Sequence, residues 1–302
     1  MSKKISAVFK SLRLRTLPLS LAGVLMGIFL AVADYRVGAW TVVFILLTTV
    51  CLQIISNLSN ELGDVLRGTD TAERQGPQYG LNSGILTIKE MKGLIGLFIG
   101  LAIVFGLLMI HASFGSIFSF EGICLALLGA AAILAALKYT LGRNPYGYRG
   151  KGDLFVFIFF GIVSVMGGYF VAAHTVSWLL LLPASAIGCF SVGVLNVNNI
   201  RDMKTDAANR VTVALKLGLH NARIYQTVLV VMGFVLMIAY CLCRIFDPWH
   251  YLFLLSAPLF VSHIKGVWTL EDRALDSVFP KLVMGTFLFS LLSGIGFTVF
   301  LW

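Results

Sequence analysis

Long apolar runs, separated by short polar segments, dominate the pattern of the chain. Nine runs are long enough to cross a hydrocarbon core of about 30 Å, which takes about 20 helical residues. Lipid offers no partner to unpaired backbone groups, and no run alternates like a transmembrane strand, so each run should be a helix. The pattern predicts an all-α integral membrane protein, a single domain over 1–302 with nine transmembrane helices around a central cavity. The predicted spans are 16–34, 39–59, 93–113, 120–138, 154–173, 177–198, 222–243, 249–265 and 282–301.

The first apolar run has two interpretations. Five basic residues precede it, and Ala31-Val32-Ala33 is similar to the cleavage site of a signal peptide. The run is longer than the usual apolar region of such a peptide, which has about 7 to 15 residues. We therefore interpret it as a retained transmembrane helix.

Composition excludes a water-soluble globule. Of the 302 residues, 58% are hydrophobic and only 12% are charged, and the mean hydropathy is +0.91. A soluble domain carries about a quarter charged residues. The bilayer is therefore the expected solvent of most of the chain.

The basic residues indicate the orientation of the spans. With the N-terminus in the cytoplasm, all of the 23 Lys and Arg residues except Arg36 and Arg244 lie in cytoplasmic segments. This asymmetry follows the positive-inside rule and supports both the count of nine and an N-terminus inside. The excess of positive charge is explained without a nucleic acid partner. We expect a multi-pass protein of the cell inner (cytoplasmic) membrane.

Cysteine and histidine give no sign of a metal centre. All five cysteines lie in apolar runs, and no two histidines are three or four residues apart. That spacing would place two imidazoles on one helical face. Neither a zinc site, a haem site nor a disulfide framework is predicted.

Two polar clusters end the second and sixth spans. In the first, Asn60 and Asp64 are four residues apart; in the second, Asn198, Asp202 and Asp206 repeat that spacing. Residues at this spacing lie on one face of a helix. Since four spans separate the clusters, both face the same side, which indicates a parallel internal repeat.

The clusters offer carboxylate and amide oxygens, the ligands that Mg²⁺ prefers. Arg67, Arg201 and Lys204 lie in the same clusters and could bind anionic oxygens. Alternatively, acidic and amide residues could simply end helices in the headgroup region and balance nearby cations. The matched spacing and sidedness favour a site for a metal and a diphosphate.

The chain resembles the UbiA superfamily of membrane prenyltransferases, and within it the naphthoate branch. That family has nine helices and two Asp-rich motifs, after helices two and six. The resemblance covers nearly the whole chain, including a basic entry to the first helix with Arg13 before Thr16-Leu17-Pro18. The other matching segments are Ser56–Asn60, Gly68–Asp70, Tyr139–Thr140, Pro145–Asp153 and Asn198–Asp202.

The resemblance implies the roles of individual residues. It implies that Mg²⁺ and diphosphate are bound by Asn60, Asp64, Asn198, Asp202 and Asp206. Where the general family pattern has an Asp four residues after Asp64, this chain has Gly68, and Asp70 follows two residues later. This Gly-x-Asp ending is typical of the naphthoate branch, but leaves it open whether Asp70 contacts the metal.

The cytoplasmic segment 139–153 is similar to the family's lid loop. The resemblance places Tyr139 near the reacting carbon, as a catalytic residue with Asp64 and Asp202. Arg13 and either Arg143 or Lys151 would bind the diphosphate; Tyr148 and Asp153 are further candidates for the site. The alternative is an ordinary interfacial belt, because Tyr and Arg favour headgroup depth.

The implied reaction is transfer of a polyprenyl group from an allylic diphosphate to 1,4-dihydroxy-2-naphthoate, with loss of CO₂ and diphosphate. The partners would be polyprenyl diphosphate, the aromatic acid and the lipid bilayer. Another acceptor, such as 4-hydroxybenzoate, is an alternative within the family. A secondary transporter is the alternative from another class, although transporter sites usually lie near the bilayer midplane between inverted repeats.

Overall fold

The computed structural model describes residues 3–68, 78–207 and 210–299. In this part of the chain, nine helical segments are long and apolar enough to cross a membrane, which confirms the predicted count. The first segment consists of a short helix, α1, and the longer α2, which meet at a turn near Arg13. The helices are α1 (Lys3–Ser11), α2 (Leu17–Asp34), α3 (Ala39–Leu66), α4 (Ile88–Phe114), α5 (Phe120–Lys138), α6 (Gly152–Ala173), α7 (Trp178–Arg201), α8 (Val213–Leu242), α9 (Pro248–Thr269) and α10 (Asp272–Thr298).

Two helices extend beyond their apolar runs. α3 continues past residue 59 to Leu66, so that the first polar cluster is helical. Asp64 is buried there, so a turn that is polar in sequence packs against protein. Helical structure in α8 begins at Val213, where the hydroxyl of Thr212 accepts a hydrogen bond from the backbone N–H of Leu215 and caps the helix. A kink at Gly218, with φ of 75°, separates this first turn from the long part of α8.

α6 contains a π-helical stretch at Phe157–Val163. Such stretches are rare and occur frequently at functional sites. Phe159, Phe160 and Val163 from this stretch line an internal cavity. The irregular turn therefore shapes the wall of that cavity.

The cavity has a volume of about 360 Å³ and lies mainly between α2, α3, α5, α6 and α7. None of the described residues of α8 and α9 lines it. The space between α7, α8, α9 and α10 is filled by a cluster of aromatic rings whose contacting centroids are 4.6 to 6.4 Å apart. These rings are Phe190, Phe234, Phe253, Phe260 and Phe289. The nine spans thus surround one open cavity and one packed core.

Candidate active site

The first polar cluster lies in the last turns of α3. Asp64 is buried, with 7% of its surface exposed. Its Oδ1 accepts hydrogen bonds from the Tyr148 hydroxyl at 2.5 Å and from Nη2 of Arg210 at 2.5 Å. Asp64 is therefore held by a residue of the segment 139–153 and by a residue that follows α7.

The second cluster ends α7. Asp202 forms the C-terminal cap, and both of its carboxylate oxygens accept hydrogen bonds from Arg201, at 2.6 and 2.8 Å. Arg201 is buried and also donates to Asp276 at 2.6 Å. Asp206 follows one turn later, within the short helix Met203–Asp206.

Arg210 connects the two clusters. Besides its bond to Asp64, its Nη1 lies 3.8 Å from Oδ2 of Asp206. Although burial lowers the pKa of Arg210, the two carboxylates raise it above its ordinary value, so the side chain is a permanent cation. A guanidinium therefore lies between a carboxylate of the first cluster and one of the second.

Arg210 was missed by the sequence analysis as a site residue. The only local signal is its position four residues after Asp206, a spacing that allows an ion pair on a helix. Its contact with Asp64 joins residues 146 positions apart in sequence. Such a contact depends on the packing of α3 against the segment after α7.

The polar end of the cavity is lined by residues from both clusters. Asn60 and Asn198 line it together with Arg13 and Tyr139. The rest of the wall is mainly apolar, with leucines, valines, alanines and phenylalanines of α2, α3, α5, α6 and α7. The arrangement is an apolar cavity with amide, hydroxyl and guanidinium groups at one end.

Tyr139 and Thr140 join α5 to the first cluster. The Thr140 hydroxyl donates to the carbonyl oxygen of Ser59 at 2.8 Å. This approach needs Gly63, because a Cβ there would lie 2.5 Å from Cβ of Thr140. Burial raises the pKa of Tyr139 to about 12, so its hydroxyl stays protonated at neutral pH and can donate a hydrogen bond.

The rest of the segment 139–153 packs between the two clusters. The backbone carbonyl of Tyr148 accepts a hydrogen bond from the N–H of Val211 at 3.1 Å. The guanidinium of Arg210 lies 4.4 Å from the centre of the Tyr148 ring, and that of Arg67 lies 5.1 Å from it. Tyr148 is therefore buried where the ends of α3 and α7 meet.

The other predicted cations differ in their surroundings. Arg67 donates to the carbonyl of Gly142 at 2.6 Å, and Lys204 donates to Asp272 at 2.6 Å. Arg143 and Lys151 are exposed. Three of the predicted anion-binding cations, counting Arg201, therefore bind other groups of the protein in this structure.

Asp153, the last residue of the segment 139–153, contacts α8. Its carboxylate accepts a hydrogen bond from the hydroxyl of Tyr225 at 3.1 Å. Asp70 lies outside the described residues, so its predicted proximity to the site stays a prediction.

The donor set fits Mg²⁺ by chemistry. The two clusters supply two amides and three carboxylates, all hard oxygen ligands. Among the described residues, however, no three His, Cys, Asp or Glu side chains are close enough to hold a metal ion. Asp64 and Asp202 are instead neutralised by Arg210 and Arg201.

Comparison with known proteins identifies related sequences along most of the chain. The sequence model of the UbiA prenyltransferase family matches residues 20–292. The 1,4-dihydroxy-2-naphthoate octaprenyltransferase of Escherichia coli is 36% identical over 301 residues, covering 99% of this chain and 97% of that protein. The Mycobacterium tuberculosis protein of the same name is 36% identical over 252 residues, covering 82% and 81%.

Solved structures show the same fold. A UbiA homolog from Aeropyrum pernix, in its apo form, superposes with a TM-score of 0.70 at 16% identity, covering 100% of both chains. A UbiA homolog from Archaeoglobus fulgidus, bound to DMAPP and Mg²⁺, superposes with a TM-score of 0.63 at 12% identity, covering 97% of this chain and 99% of that one.

Proposed function

The chain belongs to the UbiA prenyltransferase family, and we propose that it prenylates 1,4-dihydroxy-2-naphthoate. A polyprenyl group is transferred from an allylic diphosphate to the carbon that carries the carboxylate. CO₂ and diphosphate leave, and the product is the reduced, quinol form of a demethylmenaquinone. The names of its relatives from Escherichia coli and Mycobacterium tuberculosis support this acceptor.

One observation of the structure carries the proposal. The two acidic clusters meet at Arg210 beside the polar end of an apolar cavity. A prenyl diphosphate has the same division into a polyanionic head and an apolar chain. The clusters would bind the head, and the cavity of about 360 Å³ would take the first isoprene units of the chain and the aromatic ring.

The metal in this proposal is Mg²⁺, which accompanies DMAPP in the homolog from Archaeoglobus fulgidus. When bound, it would neutralise the charge that develops on the leaving diphosphate. The residues that would hold it are Asn60, Asp64, Asn198, Asp202 and Asp206. Tyr139 stands at the polar end of the cavity, where the reacting carbon would lie.

Cations around the clusters would bind the diphosphate directly. Arg67 and Arg210 flank Tyr148 and need only exchange one anionic or carbonyl partner for another. The exposed Arg143 and Lys151 would reach the diphosphate when the segment 139–153 closes over it. Arg201 and Lys204, at the end of α7, would lie beside the diphosphate. Charge-assisted hydrogen bonds of this kind are about twice as strong as neutral ones.

The apolar cavity protects the reaction from water. Ionisation of the allylic C–O bond leaves a cation that water would capture. The aromatic side chains of α6, including Phe155 and Phe159, line the cavity together with leucine and alanine residues of α5. We propose that these walls keep bulk water away until the ring of the acceptor attacks.

A transporter is less consistent with the geometry. The two clusters lie at the ends of α3 and α7 rather than at broken helices near the bilayer midplane. We propose that the whole chain forms one prenyltransferase domain in the cell inner (cytoplasmic) membrane.

A diphosphate-release assay tests the enzymatic proposal against transport. Purified protein is given polyprenyl diphosphate, 1,4-dihydroxy-2-naphthoate and Mg²⁺ in detergent, where no compartment exists to transport into. An enzyme releases diphosphate only when both substrates are present, and Asp64→Ala abolishes this release. A transporter releases none.

A further inference from the structure

Beside the two acidic clusters, the polar end of the cavity contains a second group of polar side chains. Arg13, Thr16, Gln53 and Asn57 all line the cavity. Gln53 donates through Nε2 to the Asn57 amide oxygen at 3.0 Å and to the Thr16 hydroxyl at 3.2 Å. Asn57 donates through Nδ2 to Thr16 at 3.0 Å and to the carbonyl of Leu12 at 2.9 Å. Gln53 and Asn57 of α3 are thus hydrogen-bonded to Thr16 and Leu12, in the turn that contains Arg13.

This network holds Arg13 in an unusual conformation. Arg13 has a φ of 49°, in the left-handed region that non-glycine residues rarely adopt. The Thr16 hydroxyl donates to the Arg13 carbonyl at 2.9 Å, and the guanidinium stacks 4.0 Å from the centre of the Tyr79 ring. Backbone strain of this kind is kept where a side chain must be held in a particular place.

The network leaves three buried atoms without a partner. They are Nε and Nη2 of Arg13 and Oε1 of Gln53. Gln53 is only 7% exposed. Buried polar atoms are rarely unpaired, because each costs the free energy of its lost hydration. Thr16 is hydrogen-bonded both to Gln53 and to the carbonyl of Arg13. The network therefore joins the residue with two unpaired donors, Arg13, to the residue with an unpaired acceptor, Gln53.

The complementary ligand follows from these atoms. Nε and Nη2 form one edge of the guanidinium and match the two oxygens of a carboxylate. Oε1 of Gln53 can only accept, so its partner must be a donor such as a hydroxyl. A carboxylate with a hydroxyl on the adjacent ring carbon, on a flat apolar ring, satisfies all three atoms.

We propose that Arg13 and Gln53 form the acceptor subsite and select an aromatic acid with a hydroxyl ortho to its carboxylate. This inference rests on the proposed function and names its acceptor class. In 1,4-dihydroxy-2-naphthoate the C1 hydroxyl is ortho to the carboxylate, whereas in 4-hydroxybenzoate the hydroxyl is para to it. The subsite therefore favours the naphthoate, and it places Arg13 on the acceptor instead of the diphosphate.

Gln53 also has a role in the reaction itself. As C2 of the ring attacks the allyl cation, a C–C bond forms and the C1 hydroxyl takes up positive charge. The C2–carboxylate bond then breaks, CO₂ leaves, and the electron pair returns to the ring and neutralises that charge. The C1 hydroxyl keeps its proton throughout, so no base is needed. Its hydrogen bond to Oε1 of Gln53 strengthens as the charge develops, which lowers the barrier.

Ligand binding to the full-length protein tests the subsite without turnover. The probes are 1-hydroxy-2-naphthoate and 2-naphthoate, which differ only in the hydroxyl, titrated by calorimetry with a non-hydrolysable prenyl diphosphate analogue and Mg²⁺ present. The wild type should bind the hydroxylated probe at least about tenfold more tightly. Gln53→Leu should remove this preference. Arg13→Gln should weaken both probes by about tenfold or more.

Two controls keep the test specific. Arg15→Gln changes a neighbouring arginine that does not line the cavity, and it should bind both probes like the wild type. Affinity for the prenyl diphosphate analogue should change less than about twofold in all variants, which also shows that they are folded. If Arg13→Gln does not fold, Arg13→Lys replaces it, because it keeps the charge and loses the paired donors.

The opposite results overturn the subsite. If Arg13→Gln bound the prenyl diphosphate analogue more weakly and the naphthoates as before, Arg13 would bind the diphosphate and not the acceptor. Equal affinity of the wild type for the two probes would remove the role of Gln53. Failure of the proposed function is distinguishable, since a wild-type enzyme that binds 1-hydroxy-2-naphthoate selectively but does not prenylate 1,4-dihydroxy-2-naphthoate would contradict only the reaction.

Discussion

Asp64 and Asp202 end α3 and α7, and each is paired with an arginine. We expect Asp64→Ala and Asp202→Ala each to lower turnover by at least about 10²-fold, because each removes charge that stabilises the transition state electrostatically. Steady-state rates of detergent-purified variants measure this effect. Glu121→Gln is the matched control, since it removes an exposed carboxylate at the first turn of α5. Near-native turnover in either folded aspartate variant would contradict the two-cluster site.

Arg210 occupies the position between the acidic clusters. We expect Arg210→Gln to bind Mn²⁺, a spectroscopic substitute for Mg²⁺, about fivefold or more tightly without substrate, because a competing cation is removed. Turnover should fall, because the same cation is proposed to bind the diphosphate. Electron paramagnetic resonance measures free Mn²⁺, and Arg36→Gln is a control on the opposite side of the membrane. Unchanged Mn²⁺ affinity would mean that Arg210 does not compete with the metal.

The repeated Asn-x-x-x-Asp spacing could be recognised in the sequence, whereas residues outside it could not. Asn60, Asp64, Asn198 and Asp202 stood out because their spacing occurs twice. Arg210 occurs in no such pattern, and its bond to Asp64 exists only because the segment after α7 lies against the end of α3. The spacing therefore indicated the proposed ligands but not the cation between Asp64 and Asp206.

At the scale of the elements, α3 meets the start of the segment 139–153 through Gly63. We expect Gly63→Ala to displace Thr140 and cost about 1–3 kcal/mol of stability, because the new Cβ would lie within 2.5 to 2.9 Å of Thr140. Gly96→Ala in α4 is the matched control, since nothing lies within 4 Å of its added Cβ. Thermal unfolding and turnover should both fall for the first variant only. Equal behaviour of the two variants would show that the close contact is unimportant.

The segment 139–153 is held by a side-chain bond from Tyr148 to Asp64 and by a backbone bond from Val211, which follows the second cluster. If it is a lid, a non-hydrolysable prenyl diphosphate analogue with Mg²⁺ should slow amide exchange at 142–151, because Arg143, Arg149 and Lys151 gain an anionic partner. Hydrogen–deuterium exchange measures this protection. An interfacial belt would show the same exchange with and without an inhibitory concentration of the analogue.

The helices were predicted more reliably at their centres than at their ends. Apolar length fixes where a helix can cross lipid, but it cannot show that α3 continues to Leu66. Those last turns pack against protein instead of lipid, so their polar side chains avoid the free-energy cost of burial in hydrocarbon. The π-helical stretch in α6 likewise has no signal in hydropathy, because it depends on the register of backbone hydrogen bonds.

At the scale of the whole molecule, charge asymmetry and apolar length predicted the count of spans that the described structure contains. They did not predict where the cavity lies. Five phenylalanines fill the interior between α7 and α10, whereas the space among α2, α3, α5, α6 and α7 stays open. Side-chain volume decides between these outcomes, and hydropathy does not distinguish a phenylalanine in a core from one that faces lipid.

Mass spectrometry of the product formed by the purified protein tests both the transfer of the prenyl group and the identity of its acceptor. The protein is incubated with Mg²⁺, a polyprenyl diphosphate and 1,4-dihydroxy-2-naphthoate labelled with ¹³C in the carboxylate. The proposed function predicts a prenylated naphthalenediol or quinone without the label, and one labelled CO₂ and one diphosphate for each product molecule. A prenylated product that keeps the label, or prenylation of 4-hydroxybenzoate in preference to the naphthoate, would contradict it.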